Sequence, residues 1–112
     1  MAVEADDLLQ TCTLWSKDTV LLRVIGELDV ATAPLLDQAV TAALVGCPRD
    51  FRLDLTALVF CDAAGLRALR RLTDTVHVAY VSFRLVGLHP NVHRTLARLG
   101  TMSPWSPPLL LH

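Results

Sequence analysis

His89 and His93 stand four residues apart, a spacing that can place two imidazoles on one helix face where a divalent metal would need them. Pro90 lies between them near a helix start, and no third ligand stands at a suitable spacing, so exposed histidines are the simpler reading. Glu27 and Asp29, two apart, would share a strand face as a general acid and base do. The chain is leaving its strand there, and no third polar group accompanies them. Ser16, Ser82, Ser103 and Ser106 have neither a nucleophile elbow nor a matched histidine and acid. A glycine-rich phosphate loop is missing too. Cys12, Cys47 and Cys61 are scattered, with no Cys-x-x-Cys spacing, and read as small buried hydrophobes in a reducing cytosol. The expectation is a protein with no catalytic site, no metal and no cofactor.

One stretch remains, "FCDAAGLRAL" at 60–69. Asp62 is placed to cap a helix, its carboxylate accepting from the free N–H groups of Ala64 or Gly65 at the positive end of the helix dipole. The small residues Ala63, Ala64 and Gly65 leave that helix start bare. Capping alone accounts for Asp62; a bare helix start also lets another macromolecule approach the backbone closely.

The elements that position this stretch follow from periodicity. Residues 11–15 and 19–28 are β-rich runs split by "SKD", which suggests a hairpin. In the second run Leu22, Val24 and Leu28 fall on one face and Arg23 and Glu27 on the other, although Leu21 and Ile25 spoil strict alternation. Thr32 followed by Pro34 predicts an N-cap with proline in the first turn, and Leu35, Leu36, Ala39, Val40, Ala43 and Leu44 recur at helical spacing up to Gly46. "FRLDL" at 51–55 alternates as a strand. After Asp62 the stripe Leu66, Leu69, Leu72 and Val76 predicts an amphipathic helix, with Arg67, Arg70, Arg71 and Asp74 on its outer face. Residues 82–87 are strand-like, and Pro90 opens a last helix with Val92, Leu96 and Leu99 as its stripe before Gly100. The order β-β-α-β-α-β-α predicts an α/β fold, a mixed sheet of four or five strands covered by three helices, with the hairpin giving one antiparallel edge.

The 112 residues suit one compact domain over 1–100, with core 11–100, followed by a proline-rich tail, 101–112, in which three prolines rule out a regular helix. Ten basic against eleven acidic residues leave no electrostatic footprint for a nucleic acid. The N-terminus, "MAVEADDLLQ", is acidic where a secretory signal is basic and then apolar, and no apolar run is long enough to span a bilayer. A cytoplasmic protein is expected, one that does not meet the membrane.

In this order the segments resemble a family. "VIGELDVATAPLLDQAV" is similar to the Gly-Glu-Leu-Asp turn and first helix of the STAS domain of bacterial anti-sigma factor antagonists, and "LDLTALVFCDAAGLRAL" resembles its central strand and Asp-Ser-Ser-Gly-Leu loop. "FRLVGLHPNVHRTLARLG" resembles its last strand and helix. The resemblance implies a binding protein that engages an anti-sigma factor, itself a kinase-like ATPase, and so frees a sigma factor. It implies a contact surface of Asp29, Asp62, Ala63 and Ala64 together with Gly65, Leu66 and Arg67.

Ala63 falls where the family carries its phosphorylated serine and Ala64 at the second hydroxyl position, so the resemblance implies partner binding without phosphorylation at this loop. Thr32 and Thr56 are the neighbouring hydroxyls, and each is explained as a cap or strand-end residue. The alternative within the same resemblance is a subunit that docks on the ATPase of a lipid-trafficking ABC transporter.

Overall fold

The computed structural model describes residues 8–98; the proline-rich segment 101–112, and Leu99 and Gly100 of the last predicted stripe, lie outside the described residues. Strand β1 (Leu9–Ser16) turns through Lys17, whose φ of 53° is left-handed, into β2 (Thr19–Leu28), and the two pair antiparallel from Ser16↔Thr19 to Leu9↔Gly26. Helix α1 (Ala33–Val45) follows, then β3 (Asp50–Leu55), β4 (Leu58–Cys61), helix α2 (Ala63–Val78), β5 (Ser82–Leu88) and helix α3 (Pro90–Arg98). The expected α/β order holds, and the sheet has five strands.

The fifth strand is β4, whose four residues are too few for a period to show. It continues β3 along the same edge of β2. Residues 19–23 of β2 pair in parallel with 50–54 of β3, and after a register shift 26–28 pair with 58–61 of β4. Between the two, the Gly26 N–H donates to the Ala57 carbonyl at 3.0 Å. On its other edge β3 pairs in parallel with β5, giving the order β1-β2-β3-β5.

Asp54 fixes the step from β3 to β4. Its Oδ1 accepts from the Thr56 hydroxyl at 2.6 Å and the Thr56 N–H at 2.9 Å, while its Oδ2 accepts from Arg23 Nε at 3.1 Å. The residue is 7% exposed. Burial pushes its carboxyl up, but the Thr56 hydroxyl and N–H and then Arg23, by hydrogen bond and charge, together hold it below the usual value.

Helices α1 and α2 lie side by side on one face of the sheet, joined at the surface by Arg71 and Asp37 at 3.2 Å. Their buried stripes, Leu36, Val40 and Ala43 on α1 and Leu66, Leu69, Leu72 and Val76 on α2, meet Val20, Leu22, Val24, Phe51 and Leu53 of the sheet. Leu21 and Ile25, which break the alternation in sequence, sit half-buried on the opposite face with Arg23 and exposed Leu14 and Val86. Among the described residues no helix covers that face. Cys61 is buried as expected, but Cys12 and Cys47 are exposed, which corrects the reading of all three as buried. Cys12 lies opposite Arg23 in the hairpin, on the uncovered face, and Cys47 takes a left-handed φ of 53° just past α1.

Candidate binding site at the start of helix α2

Because Glu27 pairs with Phe60 and Leu28 with Cys61, β2 and β4 end side by side. Asp29 and Asp62 are the residues that follow those two ends, and the Asp62 N–H donates across the gap to the Leu28 carbonyl at 3.4 Å. The register therefore brings together the two acids that the sequence singles out, one at the start of each helix.

Their carboxylates have different tasks. Asp62 is the N-cap of α2, in an extended conformation (φ −97°, ψ −170°), and its Oδ1 accepts from the Gly65 N–H at 2.8 Å. Asp29 instead braces its own loop, Oδ1 accepting from the Ala31 N–H at 2.9 Å and the Thr32 N–H at 3.1 Å. Thr32 is not the side-chain cap that its type predicts. Its hydroxyl donates back to the Glu27 carbonyl at 2.9 Å and accepts from the Asp29 N–H at 2.9 Å, and the residue is 0% exposed. The physical reason is that the cap has no free partner: Pro34 carries no N–H, and the Leu35 N–H already donates to the Thr32 carbonyl at 2.9 Å, so the hydroxyl satisfies strand-end groups instead. Pro34 does stand in the first turn of α1 as predicted.

Helix α2 starts hard against the end of β2. A Cβ on Gly65 would lie 2.4 Å from the Leu28 carbonyl oxygen and 2.9 Å from Cys61 Sγ, so glycine is what permits the approach. Leu66 is buried in the core one residue later. Burial, and then the adjacent Asp62 charge, push the Cys61 thiol up to about 12, so it stays protonated.

Of the residues expected to form a contact surface, Ala63 and Arg67 are exposed and Asp29, Asp62 and Ala64 are partly so, while Gly65 and Leu66 are inside. Gly65 and Leu66 thus set the position of the helix start, and Ala63 is what that start presents. The sequence reading missed the apolar neighbours: Val30 is 75% exposed in the β2–α1 loop, and Val59 and Phe60 of β4 are 45% and 46% exposed. A short apolar strand ending in "DAAG" was the available signal.

His89 and His93 face separate tasks. His89 Nδ1 accepts from the Asn91 N–H at 3.1 Å, while the His93 N–H donates to the His89 carbonyl at 3.0 Å as part of the α3 ladder. No group of three metal-ligating side chains occurs among the described residues. Nor is any helix there long and apolar enough to cross a membrane. Thr56, the other hydroxyl considered, is engaged by Asp54 at the strand step.

Comparison with known proteins places this geometry. The STAS domain family matches residues 15–103. An anti-sigma factor antagonist from Mycobacterium paratuberculosis superposes with a TM-score of 0.74 at 26% identity, covering 91% of this chain and 86% of its own. The unphosphorylated form of SpoIIAA, an anti-sigma factor antagonist of Bacillus, superposes at 0.65 with 19% identity, covering 87% of this chain and 84% of its own. SLC26A9 shares the fold at 0.62 with 19% identity, over 80% of this chain but only 17% of its own. No curated protein matches the sequence.

Proposed function

The chain belongs to the STAS domain family, and from that premise we propose that it is an anti-sigma factor antagonist: it binds an anti-sigma factor of the kinase-like ATPase type and so releases a sigma factor. The observation that carries the reading is the exposed Ala63, held at the helix start by the Asp62 cap on one side and by the packing of Gly65 against Leu28 on the other. The 26% identity to the Mycobacterium paratuberculosis antagonist, over nearly the whole chain, supports it. Asp29, Asp62, Ala63, Ala64 and Arg67 form the contact, and Gly65 and Leu66 hold it in place.

Binding at this loop is unregulated by phosphate. A phosphoserine adds about −1.5 to −2 charge. Beside the Asp62 carboxylate, in an interface that must close, that charge would be repelled and costly to desolvate. Ala63 and Ala64 offer no hydroxyl to accept one. The protein is a stoichiometric binder, with no reaction of its own.

Ala63→Glu tests the proposal by placing a fixed charge where the phosphate would be. Against a purified anti-sigma factor recovered by affinity capture, the variant is expected to bind at least about tenfold more weakly, or about 1.4 kcal/mol, with unchanged circular dichroism. Equal affinity of the two proteins would place the interface elsewhere. Capture of an ABC transporter ATPase instead, lost in the variant, would move the partner assignment to transport.

A further inference from the structure

The strands at the borders of the sheet are guarded unequally. At one border β5 carries Arg84 and breaks register against β3 between Leu53 and Asp54. Strand β4 is only four residues long, and Asn91 Nδ2 of α3 already donates to its Val59 carbonyl at 3.2 Å. Charge, irregularity, shortness and cover are the means by which edge strands avoid pairing with other chains. Strand β1 uses none of them. Its eight residues, "LQTCTLWS", include no charge and no proline, and its register with β2 runs unbroken from Leu9↔Gly26 to Ser16↔Thr19. Every residue of it but Leu9 is exposed, and no strand pairs with its outer side among the described residues.

The ladder decides which groups that edge offers. Gly26, opposite Leu9, donates its N–H to the Ala57 carbonyl, away from β1. Bonded and non-bonded positions alternate along an antiparallel pair. Leu9, Thr11, Thr13 and Trp15 therefore turn their N–H and C=O groups outward, and a second β1 running antiparallel can meet them only where odd positions oppose odd ones. Setting Thr11 against Thr13 satisfies this over Leu9–Trp15 and places Cys12 against Cys12 on a two-fold axis.

We propose that β1 is a self-association edge: two copies of this chain pair β1 with β1, antiparallel and centred on Cys12, into one continuous sheet. The side chains select a second copy as the occupant. Odd positions of β1 face α1, as Trp15 shows, whose ring lies so close to Gly46 that a Cβ there would stand 2.6 Å from it. At the other end of the strand, a groove of about 480 Å³ opens between β1 and α1, lined by Leu9, Thr11, Leu35 and Ala39. Antiparallel pairing brings Trp15 of the second copy opposite Leu9, at the mouth of that groove, and symmetry makes the contact twice. The strand thus carries both an indole that is 46% exposed and the apolar groove to receive one. Centring on Thr13 instead sets Leu9 against Lys17 of the turn and leaves no cysteine pair.

The two-fold stands perpendicular to the sheet, so both helix layers lie on one side of it. Because the strands run antiparallel, the two α2 starts fall at opposite ends. The dimer presents the Ala63 surface twice, whatever each copy of that surface binds.

The test is sedimentation equilibrium of the full-length protein under reducing conditions, where the mass is expected to rise with concentration toward twice that of the monomer. Thr13→Pro removes an outward N–H from the edge and leaves the β1–β2 ladder whole. It should weaken association at least about tenfold, with unchanged circular dichroism. A wild type that stays monomeric, or a folded Thr13→Pro that associates equally well, would overturn the proposal, and the second result would move the contact to the uncovered sheet face. The register is read in wild-type protein with diamide: each of two Cys12 thiols gives one hydrogen to the diazene, which becomes a hydrazine, and one S–S bond forms. Opposed residues at a non-bonded position have Cα atoms about 4.5 Å apart, inside the disulfide range of about 4.4–6.8 Å. Peptide mass mapping is therefore expected to find Cys12 linked to Cys12, with the equally exposed Cys47 left free. Links made mainly through Cys47 would overturn the β1 pairing, and this readout also decides the matter if Thr13→Pro does not fold.

Discussion

Gly65 and Leu28 meet with no room between them for a side chain: a Cβ on the glycine would stand 2.4 Å from the Leu28 carbonyl oxygen. The obstacle is backbone at the end of a buried strand and cannot rotate away. Gly65→Ala is therefore expected to destabilise the fold by about 1–3 kcal/mol, the usual cost of overpacking, despite alanine's better helix propensity. Urea denaturation checks this, and a midpoint equal to or above that of the wild type would mean that the helix start is not seated on β2.

Asp62 contributes a single cap hydrogen bond to Gly65. Asp62→Ala should cost about 1 kcal/mol and Asp62→Asn only a few tenths, since the amide oxygen still accepts. Thermal unfolding of the pair separates capping from charge: equal losses in both variants would show that the carboxylate charge matters and the cap does not.

Thr32 has a buried hydroxyl with a donor and an acceptor to satisfy, the Asp29 N–H and the Glu27 carbonyl. Thr32→Val keeps the shape and removes both bonds, which predicts a loss of about 1–3 kcal/mol from the stranded backbone groups. Thr32→Ser retains the hydroxyl and should recover most of it, as measured by the urea midpoint.

Asp54 makes stability depend on acid. Its carboxyl titrates below the ordinary range, so the stabilisation it gives is complete above the unfolded-state value and is lost as pH falls through the lowered native one. The urea midpoint should start to fall as pH drops to the ordinary aspartate value of about 4 and keep falling below it, and Asp54→Asn should be less stable at neutral pH with a flatter acid limb. An unaltered acid limb in that variant would assign the pH dependence to other carboxylates.

Ala63→Ser restores a hydroxyl at an exposed first-turn position, where stability should change by less than about 0.5 kcal/mol. Under the proposed function it binds the anti-sigma factor as the wild type does and becomes a substrate when that partner and ATP are present, read as phosphate incorporation by mass spectrometry. No incorporation would mean that the partner is not a kinase or that it meets the loop in another orientation.

The helices were legible because their stripes are long: Leu66, Leu69, Leu72 and Val76 fix the inner face of α2, and all four are buried. Strand β4 was not, because four residues beyond a kink carry no period and the kink depends on Asp54 meeting both Thr56 and Arg23, the latter 31 residues away. Thr32 does hold the N-cap position that its type predicts, but its hydroxyl does not cap, since Pro34 has no N–H to offer and the Leu35 N–H goes to the Thr32 carbonyl. The acid at 62 and the small residues after it stood out in sequence. That Phe60 would lie against Arg94 and Arg98 did not, because it follows from α3 returning along the edge of β4.

A hydroxyl at position 63 would let each molecule carry a record, written by one encounter and kept until another erases it. Ala63 and Ala64 leave this loop with a single covalent state, so at this position nothing about a molecule's past can be stored. If the loop is where the partner docks, the message it conveys is a head count: the output follows how many copies exist at that moment, and resetting it requires dilution or removal of the protein.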